Sequence, residues 1–419
     1  MSISIELIPT LDPLLNRSEA ISFFRDAIAC ESITGNEANF VGWLEQRMTA
    51  LSLAPSVSAF APGRPNIWGE RKGMGGGPRL LFVGHTDTVH VRGWADHWRG
   101  TERENPFSGA VVDGAVWGRG SGDLKAGICA SLLALDLLDR AGITLKGDVQ
   151  FAFVGDEESG EPGSGRSAGI EDYVQRVQRD VVAEPDFAIY VEPTQLNVFP
   201  AQMGFFIAEI TVTGRSAYFG VPEQGVDALK ATHRVLSALW AHSDEQAAKG
   251  SHDLVGARFV LVTEIKGGGL IAVPGECSFS LIAKLLPHDD LGQAVADLDD
   301  VIRSAAGPDV TVSIDYPAGR DHRYGGTGTD IDKSHPAIAM LSSTMAAAMN
   351  DRGQIEGAPY WSEAPFLVDR LGCPAVYCAP GDISNCHTFE ERVELSEFLN
   401  GIVAFAAFIA AYCGIASSN

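Results

Sequence analysis

With 419 residues and 45% hydrophobic content, the chain is long enough to bury a large core and to divide into two domains. Fifty-four acidic residues against 31 basic ones give a formal charge of -23, which disfavours long-range attraction to nucleic acid or to an anionic membrane. The seven cysteines are scattered and never spaced as Cys-x-x-Cys, which argues against a disulfide framework or a structural zinc knuckle.

The opening Met-Ser-Ile-Ser-Ile-Glu has no basic stretch leading into an apolar one, so a cytoplasmic location is expected. Residues 16–54 read as two helices, with apolar side chains at helical spacing through Ile21, Phe24 and Ala27 and then Phe40, Trp43, Leu44 and Met48. Between them, Thr34-Gly35-Asn36-Glu37 has the Thr-x-x-Glu spacing of a capping box for the second helix. After the glycine-rich turn at Gly73–Pro78 the texture changes. The runs at 79–84, 149–155 and 187–191 are short and continuously apolar, as central strands buried on both faces are. The Ala- and Leu-rich stretch from Lys125 to Ala141 supplies a helix between the first two. This alternation predicts an α/β fold whose central sheet is mainly parallel and flanked by helices.

After Gly204 the order becomes strand (205–213), helix (226–240), strand (258–263), strand (277–283), helix (291–305) and strand (309–314). That is the split βαβ pattern of a small α+β domain. The expected organisation is therefore an inserted domain at 205–318 within a catalytic domain made of 1–204 and 319–419. The apolar segment Gly401–Ala416 approaches the ~18 residues of a membrane candidate. Being Ala-rich, slightly short and without a basic flank, it reads as a buried C-terminal helix, and no membrane association is expected.

Several potential metal ligands stand at or just beyond the ends of the expected strands, where α/β sheets place their sites. His85 ends the first run and is followed by Thr86-Asp87-Thr88-Val89, with Asp87 near enough to orient the imidazole. Asp123 lies in the glycine-dense loop Gly118-Arg-Gly-Ser-Gly-Asp-Leu-Lys-Ala-Gly127. Glu157 and Glu158 follow the second run, Glu192 the third, and His387 stands near the C-terminus. Taken singly, each has an ordinary structural explanation: a satisfied histidine, a turn aspartate, solvated glutamates. Their joint placement is what points to a site.

In these blocks the chain resembles the zinc-dependent aminoacylase, acetylornithine deacetylase and glutamate carboxypeptidase family over nearly its whole length. His85-Thr-Asp-Thr-Val is similar to the family's His-x-Asp-x-Val, and the 118–127 loop to its Gly-Arg-Gly-x-x-Asp-Met-Lys-Gly-Gly. Glu157-Glu158, Glu192-Pro-Thr and His387-Thr-Phe-Glu-Glu391 are similar to the remaining three blocks. The resemblance implies a catalytic domain with an inserted lid or dimerisation domain, a homodimer through that insertion, and two divalent metal ions (Zn, Mn or Co). It implies that Asp123 bridges the ions, that His85 and Glu192 complete one site, and that Glu158 and His387 complete the other. Glu157 is then the general base and Asp87 the second catalytic candidate. The chemistry agrees, since hard carboxylates and neutral imidazoles suit these ions.

Other positions depart from the family. Where many relatives carry an oxyanion-stabilising histidine in the inserted domain, this chain has Tyr218, which donates one hydrogen bond and brings no cation. The family's Gly-Gly…Asn-x-x-Pro becomes Gly267-Gly-Gly-Leu-Ile-Ala-Val-Pro274, with Ile271 or Ala272 near the missing Asn. The following Arg becomes Lys284, which lacks the planar fork. Tyr360-Trp-Ser-Glu-Ala-Pro-Phe366 is more aromatic than the family's Gly-x-Ser-Asp. Candidate substrate-binding residues are therefore Tyr218, Lys284, Trp361, Phe366 and Asn385. Two small-molecule activities follow: hydrolysis of an N-acyl amino acid or dipeptide, or hydrolytic deamination of an electron-poor aromatic amine, resembling the 5-nitroanthranilate aminohydrolase branch. In the latter Tyr218, Trp361 and Phe366 would hold a flat ring. A catalytically inactive small-molecule-binding homologue is the third reading.

Overall fold

The apolar runs Leu80–His85, Val149–Val154 and Phe187–Tyr190 lie side by side as parallel strands at the centre of one large sheet, and every residue in them is buried. Ala375–Tyr377 continues the parallel set beside Phe187–Tyr190. Both flanks are antiparallel. On one side Arg64–Arg71 pairs with Val149–Val154 and Ser56–Ala61 pairs with Arg64–Arg71. On the other, Tyr377 faces Phe199 of the strand Val198–Gln202. The sheet is thus mixed, with its parallel part in the middle, where helices cover both faces.

The computed structural model describes residues 3–159, 161, 163–317 and 319–416. The chain divides into two compact units, one of Met1–Pro200, Ile331–Glu356 and Ser362–Asn419, the other of Ala201–Asp330 with Gly357–Trp361. The expected end of the insertion, Ala318, lies outside the described residues. Residues 319–330 go with the second unit because Gly325–Gly326 pairs with Phe205–Phe206 and Thr329–Asp330 pairs with Ala201–Gln202.

In the first unit, strand register decides where the functional residues fall. His85 pairs with Val154 and Val83 with Tyr190, so three strands end together and deliver His85, Glu157-Glu158 and Glu192 to one edge. The C-terminal helix Leu395–Cys413 is long and apolar enough to cross a membrane by composition. Every residue from Gly401 to Ala410 is nevertheless buried, and the helix packs on Ala126–Arg140 of the same unit. A helix at Ile3–Leu11, carrying Pro9, precedes the two expected near the N-terminus.

The second unit is an antiparallel sheet in the order Phe259–Gly267, Glu276–Leu285, Gly204–Thr213, Thr311–Asp315. Cys277, Phe279, Leu281, Ala283 and Leu285 alternate onto its buried face, the period of a strand with one face against a core. The helices Ala228–Ala248 and Leu291–Ala306 contribute to that core. Each begins at an aspartate, Asp227 or Asp290, whose carboxylate accepts the free N–H three residues on.

The capping box does not form. Glu37 stands at the N-cap of Ala38–Ala50 without a side-chain cap bond, and the Thr34 hydroxyl donates instead to the Asp87 carboxylate at 3.1 Å. The Glu37 carboxylate is fully buried and accepts from Arg64 Nε at 3.1 Å and from the Gly35 N–H at 2.9 Å. A guanidinium is a stronger partner for a buried carboxylate than an orphan helix N–H. Arg64 also donates to Asp156 at 2.7 Å, joining the first helices to the loop that carries Glu157. Arg64→Leu removes the only cation that meets the Glu37 carboxylate among the described residues, where water cannot reach. It should cost about 3–5 kcal/mol, read as a lowered urea midpoint, and an unchanged midpoint would contradict this account of the pair.

Candidate active site

Asp123 is the centre of the site. One carboxylate oxygen lies 2.8 Å from His85 Nε2 and the other 3.0 Å from His387 Nε2. His387 Nε2 is also 3.0 Å from Glu158 Oε1, and His85 Nε2 is 3.8 Å from Glu192 Oε1. Two ligand sets share Asp123, one with His85 and Glu192 and one with Glu158 and His387, and His85 with Glu157 and Glu158 forms a third, the atoms of each lying within 4.8 Å of one another. All five residues sit in the first unit. His85, Asp123, Glu158 and Glu192 are buried, whereas His387 is exposed.

Burial and crowding set the charges here. Burial, then the Asp123 charge, push Glu158 up to about 8, and the same causes hold Glu192 well above the carboxylate range. Burial opposes the charge on Asp123 too, but hydrogen bonds from His387 and His85 outweigh it and lower its pKa. For His387, burial is outweighed by its bonds to Asp123 and Glu158, which raise it to about 11. The cluster thus holds more acid than two imidazoles neutralise. Hard oxygen and imidazole donors arranged as two sets around one shared carboxylate fit two divalent cations.

Asp87 serves the site differently from the sequence expectation. His85 Nδ1 lies 2.9 Å from the Asp87 backbone carbonyl and 3.8 Å from its carboxylate, so the carbonyl is what fixes the ring. The carboxylate instead accepts the backbone N–H groups of Glu157 at 3.3 Å and Glu158 at 3.0 Å, together with the Thr34 hydroxyl. It thereby positions the loop that presents both glutamates. Asp156, at φ 78°, turns the chain into that loop. Its carboxylate accepts the Gly165 and Arg166 N–H groups and the Arg64 guanidinium, which offset the cost of a left-handed non-glycine residue.

Sequence reasoning passed over several charged residues inside the blocks it quoted. Buried Glu391 accepts the N–H groups of Gly122 at 3.2 Å and Asp123 at 3.3 Å, and is paired with Arg119. Arg119 also donates to the carbonyls of His90 and Thr388, tying the His387 loop to the Asp123 loop. Lys125 is fully buried, with its amine on the carbonyls of Ala27 and Cys30 at the end of the helix Arg17–Ala29 and 4.4 Å from the Phe40 ring centre. Burial lowers its pKa to about 8. The Ser362 hydroxyl donates to Glu192 at 2.7 Å, and buried Glu363 accepts from Tyr190 at 2.8 Å. The available signal was the occurrence of single charges in glycine-rich or apolar surroundings.

The expected substrate contacts are divided between the two units. Tyr218, Lys284 and Trp361 belong to the second unit, Phe366 and Asn385 to the first. Tyr218 is 61% exposed, with its ring 4.6 Å from that of Phe219. The Lys284 amine donates to the Val255 carbonyl at 2.5 Å. Trp361 donates to the Thr327 carbonyl at 2.9 Å and packs on Phe205. Phe366 is only 1% exposed and lies beneath Arg370, so it presents no ring face to a ligand. Asn385, half-buried two residues before His387, has a buried Oδ1 with no hydrogen-bond partner among the described residues.

Residues 81–411 match the model of peptidase family M20/M25/M40. The chain is 22% identical over 404 residues to an N-formyl-4-amino-5-aminomethyl-2-methylpyrimidine deformylase of Bacillus subtilis, covering 90% of each protein. It is 26% identical over 382 residues to a succinyl-diaminopimelate desuccinylase of Methylorubrum populi, covering 88% of this chain and 92% of the relative. Its fold matches that of an M20 family metallo-carboxypeptidase from Sulfolobus solfataricus with a TM-score of 0.73 at 15% identity, over 94% of this chain and 99% of the other. Matched from the strand that delivers His85 to the helix that follows His387, the chain belongs to peptidase family M20/M25/M40 and is a metallohydrolase acting on C–N bonds.

Proposed function

We propose that the chain is a two-metal amidohydrolase for a small N-acylated amine, an N-acyl amino acid or a dipeptide being the first choice. The observation that carries this reading is the division of Asp123, one oxygen toward His85 and the other toward His387. Asp123, His85 and Glu192 would hold one divalent ion, and Asp123, Glu158 and His387 the other. Such a pair, when bound, would supply Lewis acidity for a scissile carbonyl and an attacking water. Glu157 takes that water's proton and returns it to the leaving nitrogen. Asp87 keeps Glu157 and Glu158 in register by holding both their N–H groups, and Glu391 does the same for Asp123.

Paired substitutions separate holding from catalysis. Asp123→Ala should release more metal than loss of any terminal ligand, by elemental analysis after dialysis. Glu157→Gln should keep the metal and lower turnover by about 10²–10⁴. Equal metal loss at all five ligand positions, or more than about a tenth of turnover left in Glu157→Gln, would break the assignment. A metal-free protein with full activity in strong chelator would remove the two-metal reading altogether.

Hydrolytic deamination of an electron-poor arylamine remains the second reading. It draws on the apolar tip of the second unit, where Tyr218, Phe219, Leu270 and Ile271 are all exposed on two loops bridged at Tyr218 and Ala272. A ring that delocalises the developing charge needs an oxyanion donor less. The placement of Phe366 favours acyl cleavage instead, and the B. subtilis relative's name describes removal of a formyl group from an aminomethylpyrimidine. Products decide. N-acyl amino acids, dipeptides and formylated aminomethyl heterocycles should yield an acid and an amine, with no ammonia from para-nitro 2-aminobenzoates. Ammonia from those arylamines alone would reverse the choice.

We also propose a homodimer formed through the second unit. Its edge strand Phe259–Gly267 pairs on one side only and exposes Leu261 and Ile265, while the helix Ala228–Ala248 exposes Leu229 and Trp240. An unprotected apolar edge is a site for strand pairing with another chain. Sedimentation should give twice the chain mass, with Leu261→Lys or Trp240→Glu shifting it to one. A wild-type monomer at micromolar concentration would end this proposal.

A further inference from the structure

Within the second unit, the helices Ala228–Ala248 and Leu291–Ala306 and the ends of the strands Phe259–Gly267 and Glu276–Leu285 enclose a cavity of about 270 Å³. Its floor is apolar, with Phe259 41% exposed and Val260 and Ala294 half-buried. Its rim is charged and balanced in number, Lys249, Arg258 and Lys284 against Asp289, Asp290 and Asp297. Only one pair is matched: Arg258 donates to both oxygens of Asp289, at 2.7 and 2.6 Å. The Lys249 amine donates to the Gln246 amide oxygen at 3.1 Å and the Lys284 amine to the Val255 carbonyl at 2.5 Å, so neither meets a carboxylate among the described residues. Asp297 accepts from the Gln293 amide at 2.7 Å and Asp290 from the Gln293 N–H at 2.9 Å, so neither meets a cation among the described residues.

A cavity with an apolar floor and unmatched charges of both signs at its mouth is complementary to a zwitterion with an apolar body. We propose that it binds a free α-amino acid with a large apolar side chain, the side chain on the floor, the carboxylate toward Lys249 and Lys284, and the ammonium toward Asp290 and Asp297. A simple carboxylic acid would bring a third negative charge beside the two aspartates, and a simple amine a third positive one beside the two lysines. The volume falls just below the ~300–1,000 Å³ of drug-sized sites, which suits one residue rather than a peptide. Burial holds the Lys284 ammonium below its usual range, a cost that an opposing carboxylate relieves. If the proposed acyl-amino-acid or peptide hydrolysis is right, the ligand is of the class released by the reaction, and the cavity senses product. That consequence rests on the proposed function, whereas binding itself does not.

The test is calorimetric titration of the full-length, metal-loaded protein with L-phenylalanine, beside 3-phenylpropionate, phenethylamine and L-alanine. Saturable binding of phenylalanine is expected, with each comparison compound at least about tenfold weaker, as loss of a charged hydrogen bond or of the apolar contact predicts. Ala294→Trp, which fills the cavity, and Asp297→Lys, at an exposed position, should each weaken it at least about tenfold. Glu157→Gln should leave it unchanged, since binding here needs no turnover. If Ala294→Trp loses its native circular dichroism, Asp297→Lys and Lys249→Glu carry the test alone. No binding, equal binding by 3-phenylpropionate, or affinity untouched by Asp297→Lys and Lys249→Glu would each overturn the proposal, the last by placing phenylalanine elsewhere.

Discussion

Asp123, Glu158 and Glu192 are brought, with the His85 imidazole and beside the exposed His387, into a space that water barely reaches, and they cannot all carry full charge there on hydrogen bonds alone. Hydrogen bonds from the two histidines lower Asp123, while burial and the Asp123 charge raise Glu158 and Glu192, the mark of a mutual repulsion. The rest of the first unit is arranged to hold these groups together despite it. Strand register brings three of the chain segments to one edge, and a packed sheet resists the separation that like charges would otherwise drive.

A second set of ionic contacts secures the loops on which those groups ride. Asp87, Asp156 and Glu391 each spend a carboxylate on backbone N–H groups, and Arg64 and Arg119 neutralise two of the three. Lys125 fastens the Asp123 loop to the end of an N-terminal helix. These contacts explain why so many buried charges are tolerated: each is satisfied by backbone dipoles or by an opposite charge at hydrogen-bond distance. They also convert backbone position into ligand position, because the carboxylates that accept N–H groups are two to four residues from a proposed ligand.

Much of this was legible in the sequence because it rests on period and order. Continuous apolar runs marked the buried parallel strands, and residues just past them marked the site edge; the run at 277–283 marked a strand of the inserted domain. Partner choice was less legible. Thr34 and Glu37 have capping-box spacing, yet a guanidinium 27 positions away in sequence captures the glutamate, and nothing local announces it. His85 and Asp87 looked like a ring and its orienting carboxylate, but the carbonyl of the same residue does that work. Trp361 and Phe366 are close in sequence, and the chain passes from the second unit to the first between Trp361 and Ser362. Proximity along the chain misled in the first two cases because competition among hydrogen-bond donors and burial is settled in three dimensions.

The two units also differ in how strictly their chemistry is constrained. In the first, every proposed ligand is held by several contacts, so a substitution propagates through a packed ionic network, and the blocks stay recognisable at low identity. In the second, Tyr218 and Ile271 stand exposed on loops and carry no buried charge. Such positions change at little cost to folding. Specificity therefore drifts where the fold is indifferent and chemistry persists where electrostatics leave no alternative, which is why the bond class is better determined by this chain's residues than the molecule that carries the bond.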